Sequence, residues 1–311
     1  MREAYMDREV AAAVAARGGV PAPLTAERLR EWQRADAAAR PRPGLRELAD
    51  GGRFETGLGE GVVWARPAGA SGRLPVLHYL HGGGLIGGNA YAVLPRVLRE
   101  LAEPLGVAVV SVEYPLAPDA PYPRPLHACR DALRWTLANA APLGLDPARV
   151  VLAGKSAGGG LAAAFALLLR DEGGPVTIGQ LLLSPMLDDR GGTASARQLA
   201  GRDTWDAASN ATAWRAALGA RYGTPDVPPY AAPARATSLA GLPPAYLEVG
   251  SAETFRDEVV AYAGALWQCG GSAELHVWPG ACHGFDTLAP GAAVSRAAVA
   301  ARQGWLRRLL E

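Results

Sequence analysis

The sequence predicts an α/β fold: a mostly parallel central sheet flanked by helices, with a helical cap. Three observations support this. From residue 74 onward, short β-rich runs alternate with longer helical ones, the rhythm of strands joined by crossover helices. Most of the strand-like runs are bounded by Gly or Pro, which ends them cleanly. The 311-residue chain is 49% hydrophobic, ample for one large buried core.

The strand-like runs are 74–80, 107–114, 150–153, 180–183, 245–249 and 273–278, and the helical stretches between them are 126–140, 159–170 and 256–268. Two parts depart from this rhythm. Residues 1 to about 50 read as helical and polar-faced, and residues about 187–228 interrupt the alternation. Both are expected to form a cap over a core of about 51–186 and 229–311, the whole being one folded unit. The second carries Trp205, Trp214 and Tyr222, which can line an apolar pocket or simply pack helices together.

Charge narrows the range of partners. Lys plus Arg number 31 and Asp plus Glu 30, so no broad field of one sign is expected to hold a nucleic-acid backbone or an anionic membrane. A small, largely apolar ligand fits better. Cys129, Cys269 and Cys282 are too few and scattered for a disulfide framework, and no CxxC pair suggests a metal site, so a reducing cytoplasm is the expected setting. The alanine-rich start follows Glu3, Asp7 and Glu9, unlike a secretory leader, and no apolar run reaches the roughly 20 residues of a bilayer span. The chain is thus expected to be soluble and unprocessed.

The chemistry is concentrated at strand ends. Gly154-Lys155-Ser156-Ala157-Gly158 places GxSxG between a buried strand and a small-residue helix. There the glycines permit a sharp bend that exposes the Ser156 hydroxyl as a nucleophile, and the helix start aims free backbone N–H groups at the same spot. A Walker loop or dinucleotide fingerprint would need different glycine spacing. His81-Gly82-Gly83-Gly84 directly follows the run 74–80, and its glycines let the backbone approach a ligand closely enough to stabilise an oxyanion. Gly83, Gly84 and Ala157 are the expected donors. An HGGG loop upstream of GxSxG is the combination that lipases and esterases of the α/β-hydrolase fold use, and that fold supplies an acid and then a histidine after later strands.

His283 follows the run 273–278 in a Gly-containing loop and is the expected general base, since His78 and His276 lie in strands, His127 on a helix and His81 in the glycine loop. Several carboxylates follow the run 245–249. Glu253 lies in the turn itself and is favoured as the triad acid, with Asp257 the second candidate; Asp257 and Glu258 sit in the next helix, where solvated ion pairs are the usual fate. A base that must be neutral implies activity rising through a pH near about 6.5.

With these residues in place, nearly the whole chain resembles the hormone-sensitive-lipase-like carboxylesterases, the bacterial family IV esterases. The resemblance is carried by His81 to Gly84, Tyr114-Pro115-Leu116-Ala117-Pro118, Gly154 to Gly159, Glu253 to Glu258 and His283-Gly284-Phe285. It implies hydrolysis of short-acyl or aryl esters without metal or organic cofactor, under a cap built from the two irregular segments. It leaves homodimer formation open. Two positions depart from the family pattern, which usually has Asp before the nucleophile and Asp as the acid; Lys155 and Glu253 stand there. A cation beside the elbow can alter local pairing, pocket shape or the base's pKa. An amidase, thioesterase or lactonase would use the same site, and the fold can also hold a small ligand without catalysis.

Overall fold

Eight strands form one sheet in the computed structural model, which describes residues 6–311: β1 (Phe54–Gly59), β2 (Val62–Pro67), β3 (Leu74–Leu80), β4 (Ala108–Val112), β5 (Leu145–Lys155), β6 (Gly179–Leu183), β7 (Ala245–Gly250) and β8 (Ala273–Trp278). Their spatial order is β1-β2-β4-β3-β5-β6-β7-β8. The pairs β1/β2 and β2/β4 are antiparallel, and every later pair is parallel. The six strands expected from the sequence are present. The antiparallel pair at one edge is additional, a hairpin turning at Glu60 and Gly61.

The parallel strands β3, β4 and β6 are buried at every residue, which is why they read as unbroken apolar runs rather than alternating ones. The helix Ala157–Asp171, which follows β5, is buried from Ala157 through Leu169. Its small residues make that possible: a side chain at Gly158 would meet the carbonyls of Leu80 and His81, and one at Gly160 the carbonyl of Met186. This close fit lays the start of the helix against the end of β3, so two separate motifs become neighbours. On the other face, the helices Ala90–Val97 and Ala293–Leu310 contribute Leu94, Val97 and Leu306 to a second apolar cluster.

Within the segments expected as a cap, residues 1–5 lie outside the described residues. The helix Arg8–Ala15 packs Val10 and Val14 against Ala281, Cys282 and Phe285. The helix Leu29–Ala39 lies beside the loop after β3: Gln33 Nε2 donates to the carbonyls of Ile86 (2.8 Å) and Ala117 (2.9 Å), and Asp36 accepts from Gly88 N (2.8 Å). The helix Ala207–Leu218 joins the two segments, because Ser209 Oγ accepts from Leu24 N at 2.9 Å and Thr212 Oγ1 donates to Leu24 O at 2.8 Å. No helix of the described residues is long and apolar enough to cross a membrane.

Candidate active site

Ser156 stands between β5 and the helix Ala157–Asp171 with φ 57° and ψ −124°. This is a costly conformation for a residue with a side chain, on the order of 1–3 kcal/mol, and it persists only where the surroundings enforce it. Here they do so on both sides of the residue. Ser156 N donates to Leu183 O at 2.8 Å, and its carbonyl accepts from Gly160 N and Met186 N, each at 3.0 Å. The cramped turn needs Gly154, where a Cβ would run into the Gly158 carbonyl.

Three chain segments bring the other polar groups to this turn. His283, in the loop after β8, sets Nε2 2.9 Å from Ser156 Oγ. Its Nδ1 lies 2.7 Å from Glu253 Oε1, in the turn after β7. The second carboxylate oxygen of Glu253 accepts from Gly250 N at 2.8 Å and Ser184 Oγ at 3.0 Å, so the fully buried acid is held at both oxygens. Asp257 is directed elsewhere, pairing with Arg256 at 2.8 Å and accepting from Ser195 N at 2.7 Å. Glu258 corrects the expectation of a solvated pair: it is buried, accepts from Leu187 N at 2.8 Å, and burial pushes its carboxyl well above the ordinary range. The backbone that covers it is invisible in a local sequence reading, because it comes from the chain after β6.

Burial would depress the His283 imidazole, but the charge and hydrogen bond of Glu253, aided by Asp203, outweigh it and raise the pKa above the ordinary 6.5; Lys155 opposes the rise. The expected value near 6.5 therefore shifts upward. The Phe255 ring meets the imidazole edge-on at a centroid separation of 5.1 Å and shields that side.

The loop after β3 lies against the same turn. A Cβ at Gly82 would approach Lys155 O at 3.0 Å and Ser156 Cβ at 3.3 Å, so the backbone of the glycine loop touches the elbow directly. Gly83 and Gly84 have φ of 125° and 64°, left-handed values that favour glycine. Among the described residues, no hydrogen bond is formed by the N–H groups of Gly83, Gly84 or Ala157. His81 is buried, stacks on Tyr114 at 4.0 Å, and has its carbonyl held by the Tyr114 hydroxyl at 2.6 Å. An apolar cleft nearby is lined by Leu85, Tyr122, Leu126, Leu161, Trp214 and Leu218. Trp214 is 2% exposed and belongs to the core, whereas Trp205 lies over Gly84 and tilts against Trp32.

Lys155 turns toward the helix Phe285–Leu288. Its ammonium pairs with Asp286 and donates to Thr287 Oγ1 at 2.7 Å. Asp286 also receives Arg302 at 2.7 Å and Arg96 at 3.0 Å, and Arg302 pairs with Glu248 in the same buried cluster. Burial would raise the Asp286 carboxyl, yet Lys155, Arg302 and Arg96 together hold it well below its usual range. Lys155 itself is lowered, chiefly by burial. Of the three effects a cation could have, two are present: altered pairing with Asp286, and a downward pull on the His283 pKa that Glu253 and Asp203 outweigh.

Sequence reading missed Ser184, Asp203, Thr204, Gln33 and Asp36. Ser184 offered one signal, its place immediately after the buried strand β6. The others come from segments with no motif at all.

Residues 77–287 match the family described as alpha/beta hydrolase fold. The chain is 38% identical over 233 residues to carboxylesterase NlhH of Mycobacterium tuberculosis, covering 73% of this chain and 71% of that one. Among solved structures, the bacterial heroin esterase superposes with a TM-score of 0.88 at 36% identity, covering 99% of this chain and 98% of the other. An esterase of the bacterial hormone-sensitive lipase family superposes with a TM-score of 0.78 at 29% identity over the full length of both chains. A mostly parallel eight-stranded sheet, a serine forced into positive φ at a strand-to-helix turn, and these likenesses agree: the chain belongs to the α/β-hydrolase family, in its hormone-sensitive-lipase-like branch.

Proposed function

We propose that this protein is a serine carboxylesterase in which Ser156 attacks the ester carbonyl, His283 is the general base and Glu253 orients it. The observation that carries the reading is the unbroken chain of contacts from Ser156 Oγ to His283 Nε2 (2.9 Å) and from Nδ1 to Glu253 Oε1 (2.7 Å). As the Oγ–C bond forms, the hydroxyl proton passes to Nε2, and Glu253 stabilises the imidazolium without taking the proton. The carbonyl oxygen becomes an oxyanion, met by N–H groups of Gly83, Gly84 and Ala157. The tetrahedral intermediate collapses, the alcohol leaves with the proton from Nε2, and a water activated by the same imidazole then releases the acid and restores Ser156.

The apolar side chains of Leu85, Leu161 and Trp214 offer a surface for a short acyl or aryl group, since Leu85 follows the glycine loop and Leu161 lies one and a half turns beyond the serine. The segments 6–50 and 187–228 act as the cap over it, and the substrate is a small ester met in the cytoplasm.

The test is an acyl-length series of activated esters with wild type and Ser156→Ala, together with labelling by a phosphonate. Ser156→Ala should lose labelling and about 10⁶-fold in kcat, as when a serine nucleophile is removed elsewhere; turnover near the wild-type rate would end the assignment. Only neutral imidazole can accept the proton, and the folded pKa is raised, so kcat/KM of the free enzyme should climb with pH through a midpoint above 6.5.

A further inference from the structure

Asp203 lies between β6 and the helix Ala207–Leu218, 1% exposed, in a stretch that carries no motif. Its carboxylate accepts three backbone N–H groups. Oδ1 receives His283 N at 2.9 Å and Thr204 N at 2.8 Å, and Oδ2 receives Thr254 N at 2.8 Å. The next residue completes the grip, because Thr204 Oγ1 donates to His283 O at 2.5 Å. Asp203 and Thr204 therefore bracket the base at both its backbone N–H and its carbonyl. The other oxygen of the same carboxylate holds the residue that follows Glu253.

We propose that Asp203, with Thr204, is a positioning residue that fixes His283 relative to Glu253 from the segment over the site. The proposal rests on the esterase reading above and adds to it a contact that reaches both later members of the triad at once.

A charged side chain is an expensive way to tie down backbone. Burial pushes the Asp203 carboxyl up to about 6; the cation that acts against this is protonated His283, while Glu253 adds repulsion. Such a group repays its cost where positive charge develops nearby. The groups around His283 are Glu253 and the Phe255 edge from the turn after β7, Lys155 and Ser156 from the elbow, Asp203 from the overlying segment and Cys282 from its own loop. Two carboxylates thus favour the imidazolium that forms during proton transfer, and one ammonium disfavours it.

The experiment compares wild type, Asp203→Asn and Thr204→Val by kcat, KM, pH profile and NMR titration of the His283 ring. Asparagine has the same shape, but its NH₂ cannot accept a hydrogen bond from a backbone N–H, and its charge is gone. Asp203→Asn should lower kcat by about 100-fold, the scale expected when a catalytic group is displaced by about 1 Å. KM should change far less. The acid limb of kcat/KM and the ring titration should both move to lower pH. Thr204→Val keeps the carboxylate and should cost about tenfold in kcat, with the acid limb unmoved. Wild-type kcat with an unmoved limb in Asp203→Asn overturns the proposal, even where its Tm falls, because that is what a purely structural role gives. Should Asp203→Asn not fold, wild-type kcat in Thr204→Val overturns it instead. A wild type that neither hydrolyses esters nor takes up phosphonate defeats the esterase reading alone; the ring titration, run in a Ser156→Ala background, still decides whether Asp203 acts on His283.

Discussion

Two loops at the carboxyl ends of parallel strands each carry a histidine among glycines, and the protein treats the two oppositely. His81, after β3, is wholly buried, and burial lowers its pKa to about 4. Its ring lies flat on Tyr114 and its Nδ1 is 2.9 Å from Gly82 O, and among the described residues no carboxylate pairs with it. His283, after β8, is nearly as enclosed, its side chain 13% exposed, yet its pKa rises because Glu253 sits 2.7 Å away and Asp203 adds a second negative charge. Burial sets the penalty for charging a ring, and a facing carboxylate decides whether the penalty is overcome. His81 is a neutral brace for the glycine loop, while His283 is the ring to which the proposed mechanism gives the proton.

That contrast can be broken at several points, and the largest effect is expected at the carboxylate. Glu253→Gln keeps the arm and removes the charge that raises His283, so kcat should fall by about 10⁴-fold and the acid limb of kcat/KM should move to lower pH. A loss below tenfold in steady-state assays would mean that the acid is another residue. On the other loop the backbone matters more than the imidazole. Gly83 has φ 125°, and a methyl there would run into the Gly87 carbonyl, so Gly83→Ala should shift the loop and cost about 10²-fold in kcat, the price of one oxyanion donor. An unchanged kcat would show that Gly83 N–H does not meet the substrate oxygen. The smallest change is expected for His81→Phe, which keeps a flat ring on Tyr114: kcat should stay within about tenfold of wild type, since lost packing and not lost proton transfer is at stake. A collapse of kcat as deep as that of Glu253→Gln, in protein with an unaltered Tm, would give His81 a part in the chemistry.

How far such a site can be read in advance depends on whether its constraints are local. The turn at Ser156 was legible because β5, the glycines and the small-residue helix follow one another without interruption. Glu253 stood out from Asp257 for a similar reason, lying in a turn rather than in the helix Arg256–Gln268. The antiparallel strands β1 and β2 were harder: β1, at the edge, is FETGLG, with charge and glycine where a core strand would carry Val or Ile, so no apolar run marks it. Asp203 had no local signature at all. Its two distant partners lie 51 and 80 residues further on, and only the folded sheet edge brings them to one carboxylate. Glu258 is the same lesson with the opposite sign, since a glutamate at the start of a helix reads as solvated until the chain after β6 covers it.

The ammonium beside the nucleophile has a consequence for anyone who would treat the elbow as a portable cassette. Lys155 and Asp286 lie 131 positions apart, yet they form one unit with Arg96, Arg302 and Glu248 beneath the reacting groups. An aspartate at position 155 alone would replace the ammonium with a second carboxylate beside Asp286, leaving Arg96 and Arg302 as the cations that face it. The residue before the serine and the residue three after the histidine are therefore electrically linked, and a library that varies the one should vary the other with it.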